Sequence, residues 1–561
     1  MAPTFRRVNW WTDSGLFKLY LYCCVVCLAS ATTGYDSSML NGLQILPVWQ
    51  SYFHHPQGAL LGLFGSIFSI GSLAGLPFAP FLADRYGRRP AIACGCLILF
   101  VGVAVQGAAF DFKMFVVARF MVGFGCTLSQ LSSPLLLTEI AHPQHRATVT
   151  ALYNCLWVMV ETTPLRLTSS DFKSRWNLGA IVASWLTYGT FRIPNNWAWR
   201  IPSILQAFPS IIQFVFLYWV PESPRFLMAH GRGPEALRML AKYHANGDES
   251  DATVLHEYSE IKETLRLEYQ FRKQSHYTDF FHTRGNRYRL FLIISVGLFS
   301  QWSGNGLTSY YFTKIMNSIG ITDTDTQFQI NGGLIIMSLI ISISCSTLVD
   351  RVGRKPLFLA STSGMLVTFV AWTVCTALYE VYGNVAAGKA VIALIYCYTA
   401  TYAFAWSGLL VAYTVEILPF KLRAKGLMLM NLFVQCALIF NQYINPIAIE
   451  GFIGQQWKLC SIYAGWILLE LVIVYCFFIE TKGPTLEEIA KIFDGDDAET
   501  GIAELSEIRA DMRGVSSNAT GPKQSGDTKS PMQHEERSID FDSSGKLRGY
   551  SEWRRLGSDD V

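Results

Sequence analysis

The sequence predicts an all-α membrane protein with twelve transmembrane helices in two six-helix halves. Its composition, 51% hydrophobic and 16% charged residues, is typical of membrane proteins rather than soluble enzymes. The pattern Asp-Arg-x-Gly-Arg-[Arg/Lys]-Pro occurs twice, at residues 84–90 and 350–356, each time in a short charged break between long apolar runs. A charged loop repeated inside hydrophobic sequence indicates a duplicated membrane unit.

The apolar runs give the individual spans, because a helix needs about 20 apolar residues to cross a bilayer. Such runs occur at 18–41, 60–83, 90–110, 114–136, 200–220, 290–314, 331–349, 356–379, 390–415, 426–446 and 459–479. A further stretch, 147–188, is interrupted by charged residues. If the N-terminus is cytoplasmic and this stretch crosses once, most Lys and Arg of the short loops lie inside, as the positive-inside rule requires.

The domain organisation follows from these spans. We predict a cytoplasmic N-terminus without a cleavable signal at 1–17, a first half at 18–220, a cytoplasmic helical loop at 221–289, a second half at 290–479 and a cytoplasmic, largely disordered tail at 480–561. The 13 cysteines show neither metal-ligand spacing nor a disulfide framework. We therefore expect no metal and no cofactor, and composition gives no sign of a nucleic-acid partner.

The fifth span holds an anomaly at residues 158–176. This segment contains five charged residues inside apolar sequence, Glu161, Arg166, Asp171, Lys173 and Arg175. The separations of equivalent glutamates in the two halves differ by the length of this segment. Glu139 and Glu222 are 83 positions apart, whereas Glu416 and Glu480, their counterparts, are 64 apart, a difference of 19 that equals the length of 158–176. We hypothesise that 158–176 is a translated intron or an error in the gene model; the alternative is a real insertion that bulges into the outer vestibule.

Further repeated motifs carry a family resemblance. Residues 139–147 match residues 416–424, with Glu and Arg seven positions apart in both, and acidic motifs at 221–226 and 480–488 close the two halves. Together these motifs resemble the sugar porter family of the major facilitator superfamily over roughly residues 16–493. Segments 34–44 and 301–307 are most similar to fungal lactose-permease-type and cellodextrin-type porters. The resemblance implies a monomer that moves a hexose or a disaccharide by alternating access.

The repeated loops also predict a cytoplasmic gate. Acidic and basic residues at helix ends on one face can form ion pairs that hold that side shut and release when the halves rock. We expect the pairs Asp84–Arg146 and Asp350–Arg423; the alternative is that the basic residues only fix topology. The predicted gate comprises Asp84, Arg88, Glu139, Arg146, Glu222, Asp350, Arg354, Glu416, Arg423 and Glu480.

Asp36 in the first span is the predicted proton-coupling residue. A carboxylate inside a membrane helix costs about 2.5 kcal/mol or more on an insertion scale, so it needs a partner, a wet cavity or a proton. Arg119 in the fourth span is its natural partner. The resemblance implies that this pair serves proton coupling; the alternative is a static buried ion pair.

Amide, hydroxyl and aromatic side chains in the spans are the predicted sugar ligands. The resemblance is imperfect here, because Ser300, Gly306 and Asn154 stand where the family usually has Gln, Asn and Gln. Trp406 either stacks on the sugar or gates its path, or it faces lipid. The polar stripe of span 11, which includes Gln442 and Asn445, faces either a cavity or another helix. The predicted set is Asn154, Gln301, Asn305, Tyr310, Tyr311, Trp406, Asn431 and Gln435.

These features predict a plasma-membrane sugar transporter, a proton symporter with both termini in the cytoplasm. The alternatives are a sugar sensor that transports little and a facilitator of polyols or other small metabolites. An enzyme is not expected, since the sequence shows no nucleophile–base set, Walker motif or metal constellation.

Overall fold

The computed structural model describes residues 13–145, 172–274, 276–346, 352–406, 408–482 and 492–493. Within these ranges the regular secondary structure is entirely helical. Three residues of the predicted site, Arg146, Asn154 and Asp350, lie outside the described residues, as do 158–171 of the anomalous segment.

The described part of the first half contains ten helices, nine of them in spans 1 to 6 and α3 between spans 1 and 2. Span 1 is α1 and α2, span 2 is α4 and α5, spans 3, 4 and 5 are α6, α7 and α8, and span 6 is α9 and α10. Their bounds are α1 Ser14–Val26, α2 Leu28–Ile45, α3 Pro47–Tyr52, α4 Gly58–Gly75, α5 Phe78–Tyr86, α6 Arg88–Gly107, α7 Phe112–Ile140, α8 Phe172–Thr190, α9 Trp197–Leu205 and α10 Phe208–Phe216.

Four helices of the described chain connect the halves, and the longest of them buries one side against the others. Val254 and Ile261 on it are buried against the neighbouring loop helices. The helices are α11 Pro224–Ala229, α12 Gly233–His244, α13 Ala252–Gln274 and α14 Asp279–His282.

Spans 7 to 12 repeat the arrangement. Span 7 is broken into α15, α16 and α17, spans 8 and 9 are α18 and α19, span 10 is α20 and α21, and spans 11 and 12 are α22 and α23. Their bounds are α15 Arg284–Trp302, α16 Asn305–Tyr310, α17 Phe312–Ser318, α18 Thr324–Ser346, α19 Arg354–Tyr382, α20 Val385–Phe404, α21 Leu409–Ile417, α22 Phe420–Gly451 and α23 Gln456–Phe477.

Eight helices of the described chain are long and apolar enough to cross a membrane by length and composition. They correspond to spans 1 to 4 and 9 to 12. Span 6 is divided into two helices of nine residues each. Span 7 breaks after α15 at Gly304, whose left-handed φ of 93° favours glycine.

Small residues let the spans approach closely. A β-carbon on Gly71 of α4 would collide with the backbone oxygen of Phe120 on α7, and one on Gly123 would collide with that of Phe68. Such reciprocal contacts are the membrane-helix packing that glycine permits. Because α7 is held this close to α4, Arg119 is buried between the spans rather than exposed.

Across the molecule, α4 packs on α22 and α8 packs on α18, so the two halves meet along two helix pairs. We call the end that carries residue 87 and residue 353 the motif face, and the other end the opposite face. The helices of the 221–289 connection lie on the motif face, where His244 contacts the backbone oxygen of Ile140 at the end of α7.

Candidate functional site

An ion-pair cluster lies at the motif face of the first half. Arg88 donates from Nε and Nη2 to the two carboxylate oxygens of Glu139, at 3.0 and 3.1 Å. Asp84 lies 3.7 Å from the same guanidinium and is about half exposed. A bidentate arginine–carboxylate pair is stronger and more directional than a single contact. The cluster therefore fixes the start of α6 against the end of α7.

Glu222 binds the N-terminus of α6. Its carboxylate accepts the backbone N–H groups of Arg88 and Arg89 at 3.1 and 3.2 Å. These amides have no partner within the helix and carry the positive end of its dipole, so they favour an anion. Burial nevertheless raises the pKa of Glu222, since desolvation outweighs the amides and Arg89.

The second half repeats the cluster. Arg354 donates from Nη2 to Glu416 at 2.9 Å, and Thr481 donates to the other oxygen of Glu416 at 2.6 Å. Glu480 accepts the backbone N–H groups of Arg354 and Lys355 at 3.0 and 3.1 Å. The two charged loops are thus equivalent in structure as well as in sequence.

Each of these clusters lies within one half, so the ion pairs of the two clusters join residues within a half and not between the halves. The expected pairs Asp84–Arg146 and Asp350–Arg423 each have one partner outside the described residues. The glutamates bind instead the motif arginine of their own half. In this conformation the clusters join neighbouring spans within a half, and a gating role for them stays a prediction.

Asp36 and Arg119 form a buried ion pair between spans 1 and 4. Arg119 donates from Nη1 and Nη2 to the two oxygens of Asp36, at 3.3 and 3.0 Å. Asp36 is 1% exposed and Arg119 is 2% exposed. The guanidinium also lies over the rings of Phe64 and Phe68, 5.3 and 5.8 Å from their centroids. Removing one member of such a pair leaves the other charge buried and uncompensated.

Hydrogen bonds join the two halves toward the opposite face. On span 1, Asn41 and Gln44 donate to the backbone oxygens of Ser309 and Tyr310 in α16, at 2.5 and 3.0 Å. Two further bonds join other pairs of spans, Ser69 to Gln442 at 2.8 Å and Asn331 to Ser184 at 3.1 Å. The opposite face is therefore closed.

Sequence reasoning missed Ser69, Ser184 and Asn331 in this closure. Ser69 and Ser184 lie within apolar runs, and Asn331 stands at the start of one. Only the packing of α4 on α22 and of α8 on α18 shows what these residues contact. A polar residue alone in a span signals a contact but not its partner.

Four amide oxygens remain buried without a hydrogen-bond partner within the described ranges. They are Oδ1 of Asn305, Oε1 of Gln435, Oδ1 of Asn41 and Oε1 of Gln206. The amide nitrogen of Asn305 is already used, since it donates to Tyr402 Oη at 3.0 Å. An unsatisfied buried acceptor is costly. A ligand hydroxyl would satisfy such an oxygen.

The other predicted sugar residues are placed differently. Gln301, Tyr310 and Asn431 are half-buried. Tyr311, in contrast, is fully buried and donates its hydroxyl to the backbone oxygen of Gln442 within the second half, and this hydroxyl lies against Gly65 of the first half. In this conformation it packs where the halves meet, and a role as a sugar ligand stays a prediction.

Trp406 also requires a correction. It is 1% exposed, it donates its indole N–H to Thr362 Oγ1 at 2.9 Å, and its ring packs on Phe299, Phe358 and Phe478. It therefore does not face lipid, and its ring is not available for stacking on a sugar here.

The polar stripe of span 11 divides between the two predicted environments. Gln442 and Asn445 face other helices, because they accept hydrogen bonds from Ser69 and from Tyr463. Asn431 and Gln435, nearer the motif face, are half-buried. Across the described ranges, no group of three His, Cys, Asp or Glu side chains has a geometry that could hold a metal ion.

Two pseudo-symmetric six-span halves with a buried ion pair and facing amides define a membrane transporter of the major facilitator superfamily. A family model described as "Sugar (and other) transporter" matches residues 22–160 and 167–493, and the chain belongs to this family.

Comparisons with individual proteins agree with this placement. The chain is 28% identical to an MFS glucose transporter of Aspergillus flavus over 85% of this chain and 90% of that protein. It is 26% identical to a quinate permease of Neurospora africana over 88% and 90%. The inward-open structure of the xylose transporter XylE from E. coli matches with a TM-score of 0.66 and 20% identity, over 85% of this chain and all of that one.

Proposed function

We propose that the protein is a proton-coupled symporter of a neutral hexose or disaccharide that works by alternating access. The observation that carries this proposal is the buried Asp36–Arg119 pair, whose Asp36 lies on the same helix as Asn41. Asn41 binds α16 across the two halves. Protonation of Asp36 would therefore weaken the contact between α2 and α7 within the first half, and through α2 it would affect the contact between the halves.

The sugar in this proposal lies between the halves, bound by amides. The unpartnered oxygens of Asn305 and Gln435 are neutral acceptors, and Gln301 is half-buried beside Asn305 on span 7. Neutral acceptors match sugar hydroxyls. Arg119, which a carboxylate such as quinate would need, is already neutralised by Asp36. This favours a sugar over an organic acid.

The proton transfer is proposed to work through charge balance. With Asp36 ionised, the pair is neutral and binds α2 to α7; with Asp36 protonated, Arg119 loses its partner and the two helices separate more easily. Sugar bound to span 7 would favour the conformation in which the sugar site is occupied and Asp36 is protonated. That linkage couples the flux of sugar to the flux of protons.

The orientation is part of the proposal. The motif face lies in the cytoplasm of a plasma-membrane protein, with both termini inside and the transport path within one monomer. The excess of Lys and Arg on the short loops of that face supports this placement. N-terminal and C-terminal tags that are labelled in intact cells would contradict it.

Uptake of labelled glucose, lactose, cellobiose and quinate in a transporter-null yeast tests the function. We expect accumulation of a sugar above its external concentration, abolished by an uncoupler. Asp36→Asn should lose accumulation but keep exchange of internal for external sugar, while Asp111→Asn, which changes an exposed carboxylate, keeps both. Accumulation by Asp36→Asn would refute the coupling role.

The same assay separates the alternatives. A facilitator equilibrates its sugar and is insensitive to the uncoupler. A sensor binds sugar with little uptake. Preferential uptake of quinate would overturn the choice of a neutral substrate.

A further inference from the structure

Glu470, in the middle of span 12, is a second buried carboxyl group that the proposed mechanism leaves unused. It is fully buried in the second half. In the described part of the chain no basic side chain pairs with it, in contrast to Asp36. An ionised carboxylate in such a position is costly unless it is paired or protonated.

The charged residues of the helices around Glu470 lie at helix ends, far from its depth. The titratable groups that face it are the phenols of Tyr398 and Tyr402 on α20. The end residues are Arg284, Arg287 and Arg289 of α15, Arg354, Lys355 and Glu380 of α19, Lys389 of α20, and Lys421, Arg423, Lys425 and Glu450 of α22.

Glu470 contacts the break in span 7. Its two oxygens lie 3.2 and 2.9 Å from the hydroxyl of Ser303. Ser303 ends α15 and precedes Gly304, the residue with left-handed φ. Tyr398 donates to the backbone oxygen of Ser303 at 2.6 Å. The carboxyl group is thus part of what holds the break.

A count of protons indicates the state of this carboxyl group. The Ser303 hydroxyl also contacts the backbone oxygen of Phe299, an acceptor only. A hydroxyl has one proton, so Ser303 cannot donate a full hydrogen bond to both Phe299 and Glu470. Both contacts are satisfied together when Ser303 donates to Phe299 and a protonated Glu470 donates to the Ser303 oxygen.

We propose that Glu470 is a second protonatable residue of the transport cycle, which as a neutral acid holds the span 7 break through Ser303 and on ionisation releases it. The protonation state rests on the local geometry alone, whereas its place in a transport cycle rests on the proposed function.

Each proton that moves in this ionisation step is accounted for. On ionisation the proton leaves Glu470 for water between the halves, and Ser303 turns its single proton from Phe299 to the new carboxylate. The indole N–H of Trp466, one turn earlier on α23, is buried beside Glu470 and is a donor that an ionised Glu470 can use. The bond from Ser303 to Phe299, which terminates α15, is lost.

The consequence reaches the closed face through α16. This short helix follows the break directly and carries Ser309 and Tyr310, whose backbone oxygens accept from Asn41 and Gln44 of span 1. Movement at Ser303 and Gly304 reorients α16. Glu470 would therefore act as a positioning residue for the contacts between the halves, without contacting the sugar.

Infrared spectroscopy of the purified full-length protein tests the protonation directly. At neutral pH we expect a C=O band from a buried protonated carboxyl group, lost in Glu470→Gln and retained in Asp36→Asn. A band unaffected by Glu470→Gln overturns the proposal. If Glu470→Gln does not fold, Ser303→Ala decides: the band must shift in frequency, because the acceptor is removed, and an unshifted band is the contrary result.

Sugar exchange as a function of pH tests the positioning role. We expect a rise in exchange as Glu470 ionises, a loss of this pH-dependent step in Glu470→Gln, and its return in Glu470→Asp. A Glu470→Gln protein that keeps the wild-type pH profile refutes the role. If the wild-type protein exchanges no sugar while the infrared band behaves as expected, the proposed function fails and the protonation stands.

Discussion

The carboxylate of Glu222 lies 2.6 Å from the point where a β-carbon on Gly87 would be, and Glu480 lies 2.7 Å from the corresponding point on Gly353. Both glycines have φ above 100°, where residues other than glycine are strained. Each copy of the repeated loop thus requires glycine for two reasons. Its backbone has positive φ, and a side chain would prevent a distant glutamate from reaching the start of the next helix.

Gly87→Ala is expected to destabilise the protein by more than backbone strain alone, which costs about 1–3 kcal/mol. The added methyl group also displaces Glu222 from the amides of α6. Gly383→Ala is the matched control, because Gly383 has positive φ but open space around it. Thermal unfolding in detergent should show a larger loss for Gly87→Ala; equal losses would contradict the role of Glu222.

A double-mutant cycle on Arg88 and Glu139 should show coupling. The pair is bidentate and mostly buried, so Arg88→Ala and Glu139→Ala are expected to be non-additive by about 0.5–3 kcal/mol in unfolding free energy. Arg232 and Glu235 are also bidentate but exposed, and their cycle should show no measurable coupling because solvent screens them. Additive effects at Arg88 and Glu139 would refute their interaction.

Gly62→Trp is expected to prevent closure of the opposite face. A β-carbon on Gly62 would lie 2.5 Å from the backbone oxygen of Tyr443 across the two halves, whereas Gly465 has nothing near it. With Ser69→Cys as a reporter, an impermeant thiol reagent should label the Gly62→Trp protein from outside and label the Gly465→Trp control weakly. Equal labelling of the two would show that this contact does not close the face.

The contact between Tyr20 and His145 predicts a pH effect on stability. Their Oη and Nδ1 atoms are 2.7 Å apart, and burial lowers the pKa of His145. The unfolded chain, with a histidine pKa near about 6.5, then binds more protons than the folded one, so stability falls as pH drops through that value. Melting temperatures between about pH 5.5 and 7.5 should fall with acidification less steeply in His145→Gln than in wild type; exposed His276→Gln is the control.

The hypothesis that residues 158–176 come from a retained intron can be tested on the transcript. The family match is interrupted at residues 161–166, inside this segment, and resumes at residue 167. Sequencing of cDNA should reveal transcripts without the codons for 158–176, and protein made from them should reach the membrane in larger amounts. Transcripts that all retain these codons would refute the intron hypothesis.

The amino-acid sequence by itself determined the architecture and the chemistry of the repeated loops. Hydrophobic runs of bilayer length permit only helices, because backbone groups in lipid must be satisfied internally. Asp36 and Arg119 were paired from their spans alone, because two isolated opposite charges in apolar sequence have few other partners. Family membership followed from the order of the motifs.

Tertiary structure alone decided which polar residues meet. It placed Trp406 in the core of the second half and Tyr311 where the halves meet, and it brought Glu470 to Ser303, 167 positions away in the chain. Helical periodicity tells which residues share a face but not which helix covers that face. A buried carboxyl group without a basic partner is recognisable only when everything packed around it is known.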